Sequence, residues 1–328
     1  MFERVAVRWP RTVRCCWLLF VFSTRRDTIE RMPGEVHGRV FDADASRFAA
    51  AFGRRPCDVE HTLADEPLLA IDAIAELADR FPGRIERHRS DQPIVVLGDL
   101  PELEGSASEM VRGIEHNGCW MVLWFVEQDP EYKALLDRVL DEVEPYLPRG
   151  IGPAIQRESF LFLSAPGAVT PVHFDPEHNF LLQIRGHKDM HVCPFPSLET
   201  ERRELDRYHD GGGRNLEALP PSDGDTFGLD AGKGVYVPSW MPHWVQNGPQ
   251  ASISLSITFR TRVSRRAERV HRINARLRRL RLSPKPAGAS PVRDIAKESV
   301  WLMVRGSQRR VSGLKRALRG ARHGSLSG

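Results

Sequence analysis

Two periodicities divide the chain. In its first half apolar residues recur every three or four positions. Ile71, Ile74, Leu77 and Ala78 do so within 68–81, and Pro82-Gly83 ends that run, which predicts a helix. Helices are also predicted for an alanine-rich stretch opened by Asp44 and stopping near Gly53, for 106–115 and for 130–147, the last closed by Pro148. One short strand is expected at 93–97. From about 151 to 259 the texture changes to short β-branched and aromatic runs between Gly and Pro, at 159–163, 180–184, 190–193, 234–237 and 252–257. Several short strands with turns between them predict an all-β sandwich or barrel. The polar stretch 202–219, with Gly211, Gly212 and Gly213, reads as a surface insertion between two strands. Beyond Thr261 helical spacing returns in Val263, Ala267, Val270, Ile273, Leu277 and Leu280, a narrow apolar seam on an arginine-rich helix. A breaker at 283–288 and a second short helix around 300–304 complete the reading.

Composition changes this picture in three ways. With 328 residues, 41% apolar and 27% charged, the chain is long enough for a sizeable core and is not a disordered chain, a collagen-like fibre or a polytopic membrane protein. The net charge of +4 conceals an asymmetry. From Arg260 onward there are 20 Lys and Arg against three acids, and residues 1–31 carry seven Arg against three acids, so by difference the body 32–259 carries −17. An acidic body with a basic tail is not a uniformly cationic nucleic-acid binder. The five cysteines, Cys15, Cys16, Cys57, Cys119 and Cys193, form no C-x-x-C pair, which speaks for reduced thiols in a cytoplasmic protein. The apolar run 15–22 is too short to span a bilayer and lacks a small-residue cleavage site, so residues 1–31 are expected to be an extension outside the fold.

The chemistry gathers in 170–188. His173 and Asp175 stand two apart, so on a strand both point to one side. His243 follows seventy residues on, after a strand and a proline-braced turn. Two histidines and one carboxylate with open positions form the facial triad of a non-haem Fe(II) site. Lys188, thirteen residues after Asp175, and Thr170, three before His173, can serve the far carboxylate of 2-oxoglutarate through a charge-assisted bond and a hydroxyl. His178, His187 and His191 are nearby competitors as ligands; Trp240, Trp244 and Tyr236 are expected to be packing groups, and Cys193 a small buried hydrophobe.

On these residues the segment 170–188 resembles the JmjC and cupin-like 2-oxoglutarate oxygenases, closest to the branch containing the asparaginyl hydroxylase of hypoxia-inducible factor. The resemblance implies a double-stranded β-helix, or cupin jelly roll, over 151–260, flanked by α-helices at both ends. It places the iron on His173, Asp175 and His243, and 2-oxoglutarate on Thr170, Lys188 and Asn179. Residues 32–150 become a mixed, mostly helical flanking region and 261–328 a helical region expected to form a homodimer through 262–282. Thr258 and Lys233 depart from that hydroxylase, which leaves the hydroxylated substrate, protein side chain or small molecule, open. Two other readings stay open at this point: a metal-binding cupin enzyme without 2-oxoglutarate, and a cupin-type regulator whose basic tail binds nucleic acid.

Overall fold

The computed structural model describes residues 40–88, 105–218 and 224–306. The expected strand at 93–97, the extension 1–31 with Cys15 and Cys16, and the last residues of the tail lie outside them.

Among the described residues twelve strands make two antiparallel sheets. In chain order they are β1 (Phe41–Asp42), β2 (Cys57–His61), β3 (Ile85–His88), β4 (Trp120–Trp124), β5 (Ile155–Ser164), β6 (Val169–His173), β7 (His178–Arg185), β8 (Lys188–Val192), β9 (Asp225–Leu229), β10 (Lys233–Val237), β11 (His243–Asn247) and β12 (Ser252–Arg260). The larger sheet runs β1-β2-β10-β7-β12-β5-β4-β3 and the smaller β6-β11-β8-β9. The two interleave strands from the same stretch of chain, which is the double-stranded β-helix.

The helices are α1 (Ala45–Ala51), α2 (Ile71–Arg80), α3 (Ala107–Arg112), α4 (Pro130–Val143), α5 (Leu198–His209) and α6 (Arg262–Arg279), with 291–306 also helical. Their starts are written in the sequence. Asp44 accepts from the Arg47 N–H, Asp129 precedes Pro130 and accepts from the Glu131 N–H, and Ser106–Glu109 and Thr261–Ser264 close capping boxes.

Strand β12 shows how the layers are assigned. Its nine residues are all buried, so burial alone gives no direction. Ile253, Leu255, Ile257 and Phe259 join the cluster that holds Phe48, Ile74, Leu77, Leu136 and Leu140 of the helical layer. Ser254, Ser256 and Thr258 alternate with them and therefore face the barrel interior. The interior is thus polar along β12 and apolar where Leu181, Met190, Val192, Val235, Val237 and Val245 meet.

Three expectations are revised. The leading region is mixed and mostly helical over its described residues, but it is more than a flank. It contributes β1 and β2 to one side of the large sheet and β4 and β3 to the other. Trp120–Trp124 is an apolar run without period two, because both of its faces are covered. The insertion 202–219 is not a bare surface loop. It begins within α5, whose Leu205 packs with Leu216, Val172 and Phe174 against β6. Finally, the tail is less open than its charge suggests. Arg278 bonds Asp206 at 2.6 Å, Arg279 bonds Asp210 at 3.0 Å, and Arg266 bonds Glu298 at 2.7 Å. Val270 of the seam is fully buried within the chain, whereas Val263 and Leu280 are exposed.

The β7–β8 corner fixes where Lys188 begins. Gly186 has φ +73°, and a Cβ there would meet the Ala251 carbonyl oxygen at 2.6 Å and the Ser252 Cβ at 2.9 Å. Gly186→Ala should therefore destabilise the protein by roughly 1–3 kcal/mol. Urea denaturation checks this, and an unchanged midpoint would show that the corner tolerates a side chain.

Candidate metal and dicarboxylate site

His173 and His243 are cross-strand partners in the β6–β11 ladder, with ring centroids 4.3 Å apart. Asp175 lies just past the end of β6, not on the strand. Its backbone carbonyl accepts from the Trp240 N–H at 2.6 Å, and Trp240 turns the chain there with φ +67°. Asp175 Oδ2 is 3.6 Å from His243 Nε2 and 3.9 Å from His173 Nε2. The three residues offer donor atoms within 4.8 Å of one another.

Each imidazole is oriented by the backbone carbonyl two residues before it. His173 Nδ1–H donates to the Pro171 carbonyl at 2.8 Å and His243 Nδ1–H to the Met241 carbonyl at 2.9 Å. Both Nε2 atoms are left as lone-pair donors toward Asp175. Burial, reinforced by His243, pushes His173 down to about 4, so it is neutral at pH 7. Burial pushes the Asp175 carboxyl up, but Arg214 and the two imidazoles outweigh it and hold it below the usual carboxylate range. Two imidazoles and a carboxylate are a donor set that fits a divalent iron.

Thr170 comes into this site through an irregularity. It stands three positions before His173, an odd offset that on a regular strand would turn it outward. The register shifts between His243 and Val245, so Thr170 stands opposite Val245 and His173 opposite His243. Both then face the interior.

Lys188 opens β8 opposite Asn247, on the same inward face as Met190, Val192 and His243. It is 2% exposed. Among the described residues no hydrogen bond or ion pair reaches its ammonium. Burial alone pushes it from 10.5 down to about 7. A buried cation with no counter-charge is costly, and a carboxylate supplied from outside would satisfy it. On the facing sheet Asn179 Oδ1 accepts from the Ser256 hydroxyl at 2.9 Å, and Thr258 stands opposite both Asn179 and Glu158 with a buried, unpartnered hydroxyl.

The competing histidines lie elsewhere. His178 faces the helical layer, where Gly53 N–H donates to the Tyr236 hydroxyl and that hydroxyl donates to His178 Nδ1. His187 is exposed and pairs with Asp230, and His191 stacks on Trp244. Lys233 is exposed and pairs with Glu60. Cys193 is buried.

Two groups at the site had no sequence signal. Arg214 bonds Asp175 Oδ1 from the far end of the insertion. Glu158 is pushed up to about 7 by burial and Glu177, partly offset by Arg260. Arg260 in turn joins Glu177 at 2.6 Å and Glu268 of α6 at 3.2 Å.

Residues 147–267 match the family model of the JmjC domain. The chain carries a JmjC domain. Such a domain uses Fe(II) and takes 2-oxoglutarate as co-substrate, and the triad and the unpaired Lys188 lie inside its limits. No curated protein matches the chain. Among solved structures, the ribosomal oxygenase YcfD of Escherichia coli aligns at 16% identity over 80% of this chain and 66% of its own, with a TM-score of 0.45. The same protein in complex with cobalt and 2-oxoglutarate aligns at 16% identity over 77% and 63%, with a TM-score of 0.41. An oxalate decarboxylase of Bacillus subtilis aligns at 25% identity over 32% and 22%, with a TM-score of 0.23. The chain thus spans about two thirds of the YcfD structures' length. Among the described residues no helix of this chain is long and apolar enough to cross a membrane.

Lys188→Met removes an unpaired buried cation at nearly constant volume. In metal-free protein it should raise unfolding stability by roughly 1–4 kcal/mol. The sign follows from a folded value near 7 against 10.5 for an ordinary lysine. The wild-type penalty is full below about pH 7 and fades as pH rises toward 10.5. Denaturant melts at pH 7 and pH 9.5 check both points, and a destabilised variant would mean that the ammonium has a partner.

Proposed function

We propose that the chain is an Fe(II)- and 2-oxoglutarate-dependent dioxygenase that hydroxylates its substrate and releases succinate and carbon dioxide. The observation that carries this reading is the pairing of two features in one barrel: a His-Asp-His donor cluster and, on the same inward face, a buried lysine with no counter-charge. A metal-binding cupin without 2-oxoglutarate has no use for that lysine.

His173, Asp175 and His243 would hold the iron. Lys188 and Thr170 would hold the far carboxylate of 2-oxoglutarate, with Asn179 alongside. With iron bound, one oxygen atom of O2 enters 2-oxoglutarate as it loses carbon dioxide, and the other enters a C–H bond of the substrate. The residues of the chain supply placement and a dry cavity. Both imidazoles stay in the Nε2-donor tautomer because their Nδ1 protons are committed to backbone carbonyls. Lys188 takes up a proton, where it lacks one, when the dicarboxylate arrives, since a counter-ion restores the charged form that burial disfavours. The hydroxyl-bearing face of β12 lines the opposite wall.

Asp175→Ala should abolish succinate formation and weaken Fe(II) binding while the barrel stays folded by circular dichroism. Lys188→Ala should raise the 2-oxoglutarate requirement by far more than the iron requirement. Full succinate production in Asp175→Ala would exclude the triad, and unchanged 2-oxoglutarate dependence in Lys188→Ala would move the reading to the plain metal-binding cupin.

The tail belongs to the same proposal as a homodimer contact through 262–282. Val263, Leu280 and Leu282 are exposed there, and Val292, Ile295, Leu302 and Met303 are exposed on the next helix. An apolar set of this kind on one end of a chain marks an interaction surface, and burying each such side chain is worth roughly 1.5–3 kcal/mol. The arginines of α6 that pair with Asp206, Asp210 and Glu298 are correspondingly less available to nucleic acid. Leu280→Glu with Leu282→Glu should yield monomers by sedimentation. A monomeric wild type would remove the dimer.

A further inference from the structure

We propose that Arg214 is a positioning residue of the metal centre. By occupying one oxygen of Asp175 it leaves the carboxylate a single oxygen for the metal, and so keeps one coordination position free for 2-oxoglutarate. This rests on the iron and 2-oxoglutarate reading above and adds a residue to it.

The division of labour between the two carboxylate oxygens carries the argument. Oδ1 accepts from Arg214 Nη1. Oδ2 faces both imidazoles, 3.6 Å from His243 Nε2 and 3.9 Å from His173 Nε2. Carboxylates bind cations through one oxygen or two. A facial triad leaves three positions only if its carboxylate uses one. A keto acid chelating the metal needs two of them and the oxidant the third. An Asp175 free on both sides could close one.

Arg214 is not there by chance of a mobile side chain. Its carbonyl accepts from the Phe174 N–H at 3.3 Å, Asn215 bridges His173, and the Leu216 N–H donates to the Val172 carbonyl at 3.0 Å. The returning insertion therefore lies along β6 beside the ligands. Its ends are fastened as well. Arg207 donates to the Asn215 carbonyl at 2.6 Å, and Leu216 is buried with Leu205 of α5. A guanidinium suits the task because it is always charged and its planar fork sets direction as well as attraction. Glu177, two residues beyond Asp175, already has Arg260 at 2.6 Å, which leaves Arg214 to Asp175.

The test uses full-length protein loaded with Co(II), titrated anaerobically with 2-oxoglutarate and followed by Co(II) visible absorption. Arg214→Met keeps the length of the side chain and removes its charge and donors; Arg214→Lys keeps the charge. In Arg214→Met, 2-oxoglutarate should bind about tenfold or more weakly while Co(II) affinity changes by less than about threefold, and the Co(II) spectrum before titration should change. Arg214→Lys should restore a substantial part of the 2-oxoglutarate affinity. Unchanged 2-oxoglutarate binding in Arg214→Met overturns the proposal. So does an equal weakening of metal and 2-oxoglutarate, which is what mere structural support would give. A crystal structure of the Co(II)-loaded wild type tests it without any variant: Oδ1 still on Arg214 supports it, and both oxygens on the metal overturn it. A wild type that binds Co(II) but no 2-oxoglutarate would instead remove the oxygenase reading, and this inference with it.

Discussion

The ladder between β6 and β11 joins two segments seventy residues apart, and the site depends on its register. With His243 opposite His173, the two imidazoles stand within contact of one another, and Asp175 needs only the turn after β6 to reach both. A slip of one residue would send every side chain of a strand to the other face. Register here is held from several directions. Val172 and Phe174 are buried on the side of β6 away from the histidines, and the returning insertion bonds to the backbone of the same strand. The irregularity between His243 and Val245 belongs to this constraint, because it brings Thr170 to the face that His173 already occupies.

Much of this was legible in the residues and some was not. The strands β5, β7, β8, β10 and β12 announce themselves by β-branched and aromatic runs between turns. The triad and Lys188 are legible because their spacing within one segment is short and their chemistry is unusual. Asp175 was expected on a strand and lies beyond its end, yet it reaches the site because the chain turns back there. Strands β2 and β4 were hidden for different reasons. Cys57–His61 is a short alternation that includes two acids, and Trp120–Trp124 shows no alternation at all. Helix α5 has Leu198 and Leu205 as its only aliphatic residues, too few to draw a face, and Leu198 is exposed. Arg214 follows three glycines and has no periodic neighbour. Only the return of the chain along β6 gives it a partner, and tertiary paths of that kind leave no local mark.

The charge asymmetry also takes on a structural meaning. The basic tail is drawn toward the acidic body by particular pairs. Arg278 and Arg279 bond acids of α5, and Arg260, the last residue of β12, joins Glu177 beside the site to Glu268 of α6. The C-terminal helix is thereby connected to the wall of the barrel two residues from a metal-facing carboxylate. The Arg279–Asp210 pair is exposed, but the two pairs of Arg260 are buried and are screened less by salt than surface pairs, so that connection persists under conditions that would dissolve an exposed one.

The two imidazoles of the His-Asp-His cluster take their orientation from carbonyls two residues earlier in the chain, not from other side chains. A backbone carbonyl cannot be mutated away. Substitutions elsewhere in the barrel can therefore reshape the walls around a substrate without disturbing the tautomer of either histidine. The histidine-bearing end of the barrel and the walls around it are free to diverge independently. In this chain a catalytic centre can be inherited intact while what it acts upon is rewritten.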